Sequence, residues 1–346
     1  MKKKIALLLV LTMVLFAFAA CGGGAKEETQ APAQEEQAAG AVKTGLAIVT
    51  STARSADAGD KNGFELADSE AVAVTVDESG TILKCSIDSA QTTIEFTKDG
   101  KIATPLDSVF TSRQELGDSY GMKAASGIGK EWYEQVNALA DYVVGKTVDE
   151  VKGIAVTAEG APADTDLASS VTIGVAPYIS AIEKAVANAQ VLGASADDKL
   201  GIDVQTNLGF SKDAGDEDGL AEAYSYYTGV TFDEDGVITS CVIDASITDV
   251  TFDKTGKITS DINAAYQTKN ELGAAYGMAK VSSIGKEWNE QAAAFAKYAV
   301  GKTVDEVKNI AINEEGAPTD ADLKTSVTVH ITDFTSIIEK AAKAQR

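Results

Sequence analysis

Residues 112–132 read SRQELGDSYGMKAASGIGKEW, and residues 268–288 read TKNELGAAYGMAKVSSIGKEW. Twelve of these 21 positions are identical, and the two stretches are 156 residues apart. Carried outward, the same shift aligns the halves of the chain without a gap. GKTVDEVK at 145–152 recurs unchanged at 301–308, and Cys85, Asp88 and Trp132 meet Cys241, Asp244 and Trp288. A period this long is a domain rather than a solenoid repeat of roughly 20–50 residues. The expected organisation is two tandem homologous modules, 44–190 and 191–346.

Each module opens with short segments rich in Val, Ile and Thr: Gly45–Ser51, Ala71–Val76, Thr81–Ser89 and Gln91–Thr97. Turns such as DESG at 77–80 and KDG at 98–100 separate them, so an antiparallel meander is expected. Apolar residues at helical spacing follow in Lys130–Val144: Trp132, Val136, Leu139, Ala140 and Val143. Gly145 stops that helix, and Thr147 with Glu150 forms a capping box for the next. SVTI at 170–173 reads as a strand, and a helix follows at about Tyr178–Asn188. The expected fold class is α+β, a meander followed by helices in each module.

Composition narrows the function classes. The 346 residues hold 30 Lys+Arg against 52 Asp+Glu, a formal charge of −22, with 45% hydrophobic residues. That acidity argues against nucleic acid as a partner, because phosphates need basic residues. One His and three Cys leave little for a zinc site or a His-based triad. A hydrolase is the least supported class, and composition says little more about function.

Several short motifs have bland readings. GKT at 145–147 and 301–303 has Ala140 and Ala296 where a phosphate loop needs its first glycine, and it follows a helix rather than a strand. The acidic loops DAGDKNG (57–63) and DAGDEDG (213–219) lack the first and twelfth ligands of a calcium loop, so they read as solvated loops. Ser126 and Ser282 are candidate helix caps. Cys85 and Cys241 read as buried thiols. Tyr120, Met122 and Trp132, with Tyr276, Met278 and Trp288, are candidate walls of an aromatic-ligand pocket, core packing being the alternative. His330 aligns with Gly174 and receives no role.

The N-terminal stretch MKKKIALLLVLTMVLFAFAAC combines three lysines, a 16-residue uncharged run and small residues before Cys21. It resembles a bacterial lipoprotein signal. The resemblance implies a leader over residues 1–20, lipidation of Cys21, and an extracytoplasmic protein anchored to the cell membrane through its lipid. Residues 21–43, rich in Gly, Ala, Gln and Glu, read as a flexible tether.

Asp166-Leu-Ala-Ser-Ser-Val-Thr172, with its copy Asp322-Leu-Lys-Thr-Ser-Val-Thr328, precedes a helix carrying IEKA in both modules. This resembles the closing segment of the FMN-binding domain family of exported bacterial redox proteins, whose motif is Asp-x-x-Ser/Thr-Gly-Ala-Thr. The resemblance implies FMN joined through its phosphate to Thr172 and Thr328 by a separate flavin transferase. Asp166 and Asp322 match the motif acid, and Ser169 and Thr325 match its first hydroxyl. It also implies electron transfer with a membrane redox partner. Ser170-Val171 and Ser326-Val327 replace the family's Gly-Ala. A plain connection into a helix, in a cofactor-free lipoprotein that binds a ligand or partner, is the alternative reading of the same segment.

Overall fold

The computed structural model describes residues 40–108 and 110–346. Cys21, the leader and most of the tether lie outside the described residues. The described residues form one compact unit.

The first half contains strands β1 (Lys43–Ser51), β2 (Gly63–Val76) and β3 (Ile82–Phe96). Helices α1 (Arg113–Leu116), α2 (Trp132–Val143), α3 (Val148–Lys152), α4 (Thr165–Ala168) and α5 (Ala176–Ala187) follow. A two-residue strand, β4 (Gln190–Val191), then pairs with β1. The second half contains β5 (Lys199–Asn207), β6 (Gly219–Phe232) and β7 (Ile238–Phe252), then α6 (Lys269–Leu272), α7 (Trp288–Ala299), α8 (Val304–Lys308) and α9 (Thr332–Lys343). Both sheets are antiparallel, in the orders β3-β2-β1-β4 and β5-β6-β7. The α+β class is as expected. Registers recur at the 156-residue shift: Lys43 faces Val76 and Lys199 faces Phe232, and the β2–β3 and β6–β7 pairings each slip once, at Thr75/Val76 and Thr231/Phe232.

Three local expectations change. β3 runs unbroken through Ala90, where two strands were expected. Asp88, buried at its middle, is partly satisfied: one carboxylate oxygen accepts the Ser89 and Gln114 N–H groups at 2.7 and 3.1 Å. Residues 170–173 form a loop, not a strand, because Gln135 takes the backbone N–H groups a ladder would use. The cap of α2 is Glu131, not Ser126, and the cap of α7 is Glu287, not Ser282.

Alternation along the strands divides the core into layers. Val72, Val74, Cys85 and Ile87 point outward onto α2 and α5, where Trp132, Leu139 and Ile182 cover them. Leu46, Ile48, Ala71 and Ala73 point inward and meet Leu200, Ile202, Val204 and Tyr227 of the other sheet. The second half repeats the outer layer around Phe295, Phe334 and Ile338. The two sheets are thus packed face to face with helices on both outer surfaces, and their strands are buried on both sides.

The contact between halves is reciprocal, as about a two-fold axis. Phe96 stacks on Phe252 with ring centroids 4.2 Å apart and planes 2° from parallel. Ala58 N–H donates to the Gly256 carbonyl at 2.8 Å, and Ala214 N–H donates to that of Gly100 at 2.7 Å. The acidic loops join in: Asp57 accepts from Ile258 N–H and Asp213 from Ile102 N–H, both at 2.8 Å. Gly100 and Gly256 have φ of 69° and 71°, and a Cβ on Gly256 would lie 2.5 Å from that of Ala58. Only glycine suits both demands. Cys85 and Cys241 are buried and free, on the helix-facing sides of their sheets. The two-fold therefore keeps them apart, and burial pushes both thiols up to about 12.

Among the described residues no helix is long and apolar enough to cross a membrane, and no cluster of His, Cys, Asp and Glu could hold a metal.

Candidate functional site

The recurrent blocks found in the sequence build one local framework twice. The Glu131 backbone N–H donates to Glu134 at 2.8 Å, which starts α2. The Glu131 carboxylate accepts the N–H groups of Met122 and Lys123 at 2.8 and 2.9 Å, clamping the Tyr-Gly-Met turn to the helix. Glu287 holds Met278 N–H in the same way at 2.8 Å. One turn further along, the amide of Gln135 donates to Ser126 Oγ and the Lys130 carbonyl, both at 3.2 Å. Its Oε1 accepts Thr172 N–H at 2.8 Å and the Thr172 hydroxyl at 3.2 Å. Gln291 accepts the same pair from Thr328 at 2.8 and 3.1 Å. Both glutamines are fully buried, so a loss of either leaves polar groups without partners.

This framework brings Thr172 and Thr328 to the helix starts and the Tyr-Gly-Met turns. It does not bring the other motif residues with them. Asp166 and Ser169 sit on an exposed turn, where Ser169 Oγ donates to the Asp166 carbonyl at 2.7 Å. Thr325 donates to the Asp322 carbonyl at 2.8 Å on the matching turn. The caps there are Asp164 and Asp320, one position pair upstream of the predicted acids.

In the second half the framework borders a pocket of about 460 Å³. Thr328 and Gln291 line it, with Tyr276, Met278 and Trp288 from the recurrent blocks. Tyr224 and Tyr226, two residues apart on β6, share one face and stack with centroids 4.6 Å apart. Lys269, at the start of α6, completes the wall. Its ammonium lies 4.2 Å from the Tyr224 ring centroid, 4.3 Å from Tyr276 and 5.0 Å from Trp288, and it donates to the Tyr224 hydroxyl. Lys269 is 3% exposed. Among the described residues no carboxylate comes within ion-pair distance of it, and burial lowers its pKa to about 7. Burial likewise pushes the Tyr224 and Tyr226 hydroxyls well up. Val281 and His330 stand exposed at the pocket.

The first half fills the equivalent positions differently. Asp68 and Glu70 replace the tyrosine pair, and Arg113 replaces Lys269. Arg113 pairs with Asp68 at 3.2 Å and Glu70 at 3.6 Å, and donates to Gln91 Oε1 at 2.9 Å. Its guanidinium still lies 5.4 and 5.5 Å from the Tyr120 and Trp132 rings. Burial raises Glu70 to about 7 against the pull of Arg113. Gly174 stands where the second half has His330, and Trp132 Nε1 donates to Tyr178 where the second half has Phe334.

A larger cleft of about 790 Å³ lies between β1 and α5 on one side and β7 and α7 on the other. The Lys184–Glu271 pair, at 2.6 Å, lines it. Its two-fold counterpart holds the Lys340–Glu115 pair at 3.0 Å, and there Arg346 donates to Asn137 and Asp141 on α2. Ala293 and Lys297 replace those two acceptors in the open cleft.

The sequence reading singled out Tyr276, Met278, Trp288 and Thr328, but missed Tyr224, Tyr226, Lys269 and His330. Their signal was disagreement at the 156-residue shift, where Asp68, Glu70, Arg113 and Gly174 stand opposite them.

In comparison with known proteins, a 41-residue stretch is 54% identical to a chlorophenol reductase from Desulfitobacterium hafniense. That match spans 12% of this chain and 12% of the relative's length. No protein-family model matches the chain, and no solved structure matches it.

Proposed function

We propose that this is an extracytoplasmic binding protein, held at the membrane by lipid on Cys21, whose second half receives a flat aromatic ring. The observation that carries the reading is the pocket formed by Tyr224, Tyr226, Tyr276 and Trp288, because stacked aromatic walls suit a planar guest. Both halves are proposed to descend from one module, as their shared registers and buried clamps support. The first half is the version whose site is closed by Arg113, Asp68 and Glu70. The stretch shared with a chlorophenol reductase favours small phenols as first probes. Saturable quenching of tryptophan emission by riboflavin or 4-nitroanisole, weakened about tenfold or more by Tyr224→Ala, is the expected result. Absence of saturable binding by either probe overturns the reading.

A second reading, electron transfer through FMN, is favoured by one specific observation: Thr328 lines that pocket. The residues present fit a flavin there, with aromatic faces for the ring and Lys269 as a cation. FMN would supply the redox chemistry, and the Thr328 hydroxyl, now bonded to Gln291, is the attachment point in this reading. The residues around Thr172 do not fit, since carboxylates occupy the positions of the stacking tyrosines. Intact mass of the mature protein from its native host checks this. One added FMN supports attachment at Thr328, and none removes the covalent form.

A further inference from the structure

We infer that the guest of the second-half pocket is an aromatic oxyanion, a ring bearing a phenolate or carboxylate, whose charged oxygen pairs with the Lys269 ammonium. This rests on the proposed ring-binding function and adds the ligand's charge.

A buried cation is stable only when something nearby answers its charge. In the first half Asp68 and Glu70 answer Arg113. In the second half both carboxylates are replaced by Tyr224 and Tyr226, yet a cation remains at Lys269. The ring faces of Tyr224, Tyr276 and Trp288 supply part of the lost attraction, but they carry no net charge. The nearest acids on neighbouring strands, Glu222 and Asp244, attract the Lys269 charge only from beyond ion-pair distance, and their oxygens are bonded elsewhere. Glu222 on β6 accepts Phe210 N–H at 2.9 Å, and Asp244 on β7 accepts Ala245 and Asn270 N–H at 2.8 and 3.0 Å. His330 faces the opening and Tyr224 Oη accepts from Lys269, so neither brings negative charge. The vacant countercharge therefore faces the pocket, where a ring between aromatic walls can deliver it. The depressed basicity of Lys269 is consistent with this state. An acidic phenol can enter neutral and pass its proton to the amine, creating the ion pair inside the pocket.

The experiment compares 4-nitrophenol with its methyl ether, 4-nitroanisole, at pH 7 by tryptophan quenching on the whole protein. The two probes share a ring and differ in the acidic oxygen. The expected result is about tenfold tighter binding of 4-nitrophenol, together with the phenolate absorption band at pH 6, where the free probe is mainly protonated. Lys269→Met should abolish the preference and the band, and Lys269→Arg should restore much of the preference. If 4-nitroanisole binds and 4-nitrophenol binds no tighter, the charge inference fails while the ring-binding function stands. If neither probe binds, both fall. Loss of the preference in Lys269→Arg as well as Lys269→Met would assign the effect to packing and overturn the inference.

Discussion

Arg113 and Lys269 hold the same place in the two halves, 7% and 3% exposed, each over a Tyr and a Trp. Around Arg113 the strand supplies two carboxylates; around Lys269 it supplies two stacked tyrosines. One framework thus tolerates two treatments of a buried cation. Internal pairing consumes the charge and closes the first site. Aromatic caging leaves it available and opens the second. The clamps that build the framework, Glu131 with Gln135 and Glu287 with Gln291, are the same in both, so the difference lies in the strand and not in the scaffold.

The strongest way to break the comparison is to separate the halves. Phe252→Ala removes the ring stacked on Phe96 and should cost about 3–5 kcal/mol in chemical denaturation. A loss under about 1 kcal/mol would mean the halves do not depend on each other through this contact. Next in size is the test of the cations themselves. Arg113→Met strands Glu70 and leaves Asp68 with Arg54 alone, and should cost about 3 kcal/mol, whereas Lys269→Met strands no counterion and should cost about 1 kcal/mol or less at pH 7. Equal losses would mean that the two halves hold their buried cations alike.

The pH dependence of that second variant sharpens the point. The Lys269 amine titrates near 7 when folded and near 10.4 when unfolded, so the unfolded state binds the extra proton between those values. Stability associated with Lys269 is present above about pH 10 and is lost as pH falls through 7. Lys269→Met should therefore gain about 2 kcal/mol over wild type on going from pH 10.5 to pH 6, after allowance for lost cation–π attraction. A difference that stays flat with pH contradicts the uncompensated-cation description. The smallest effect concerns what the halves share. Thr147→Ala and Thr303→Ala each remove a capping-box hydroxyl and should cost about 1 kcal/mol, equally.

Much of this architecture was written in recurrent residues. The turns at 77–80 and 98–100, the stripe from Trp132 to Val143 and the Thr147–Glu150 box all form as read. Strand lengths were harder to read, because Glu65, Asp68 and Glu70 in β2 and Asp88 in β3 interrupt the apolar pattern. Their partners come from distant residues: Thr248 donates to Glu65 at 2.5 Å, and Gln114 N–H to Asp88. No local pattern announces such pairings. The face-to-face packing of the sheets was hidden for a related reason. Inner residues such as Ala71 and Ala73 carry no mark distinguishing another sheet from water as their neighbour. At the site, Trp288, Tyr276 and Thr328 were visible by repetition, while Tyr224, Tyr226 and Lys269 were visible only as departures from it.

The most direct test of the claim that one half is open and the other closed uses the two tryptophans as separate reporters. Trp132→Phe leaves Trp288 in the second-half pocket, and Trp288→Phe leaves Trp132 beside Arg113. Titrated with 4-nitrophenol, the first variant should show saturable quenching and the second only the linear, collisional kind. Saturable quenching of Trp132, or its absence at Trp288, would contradict the account.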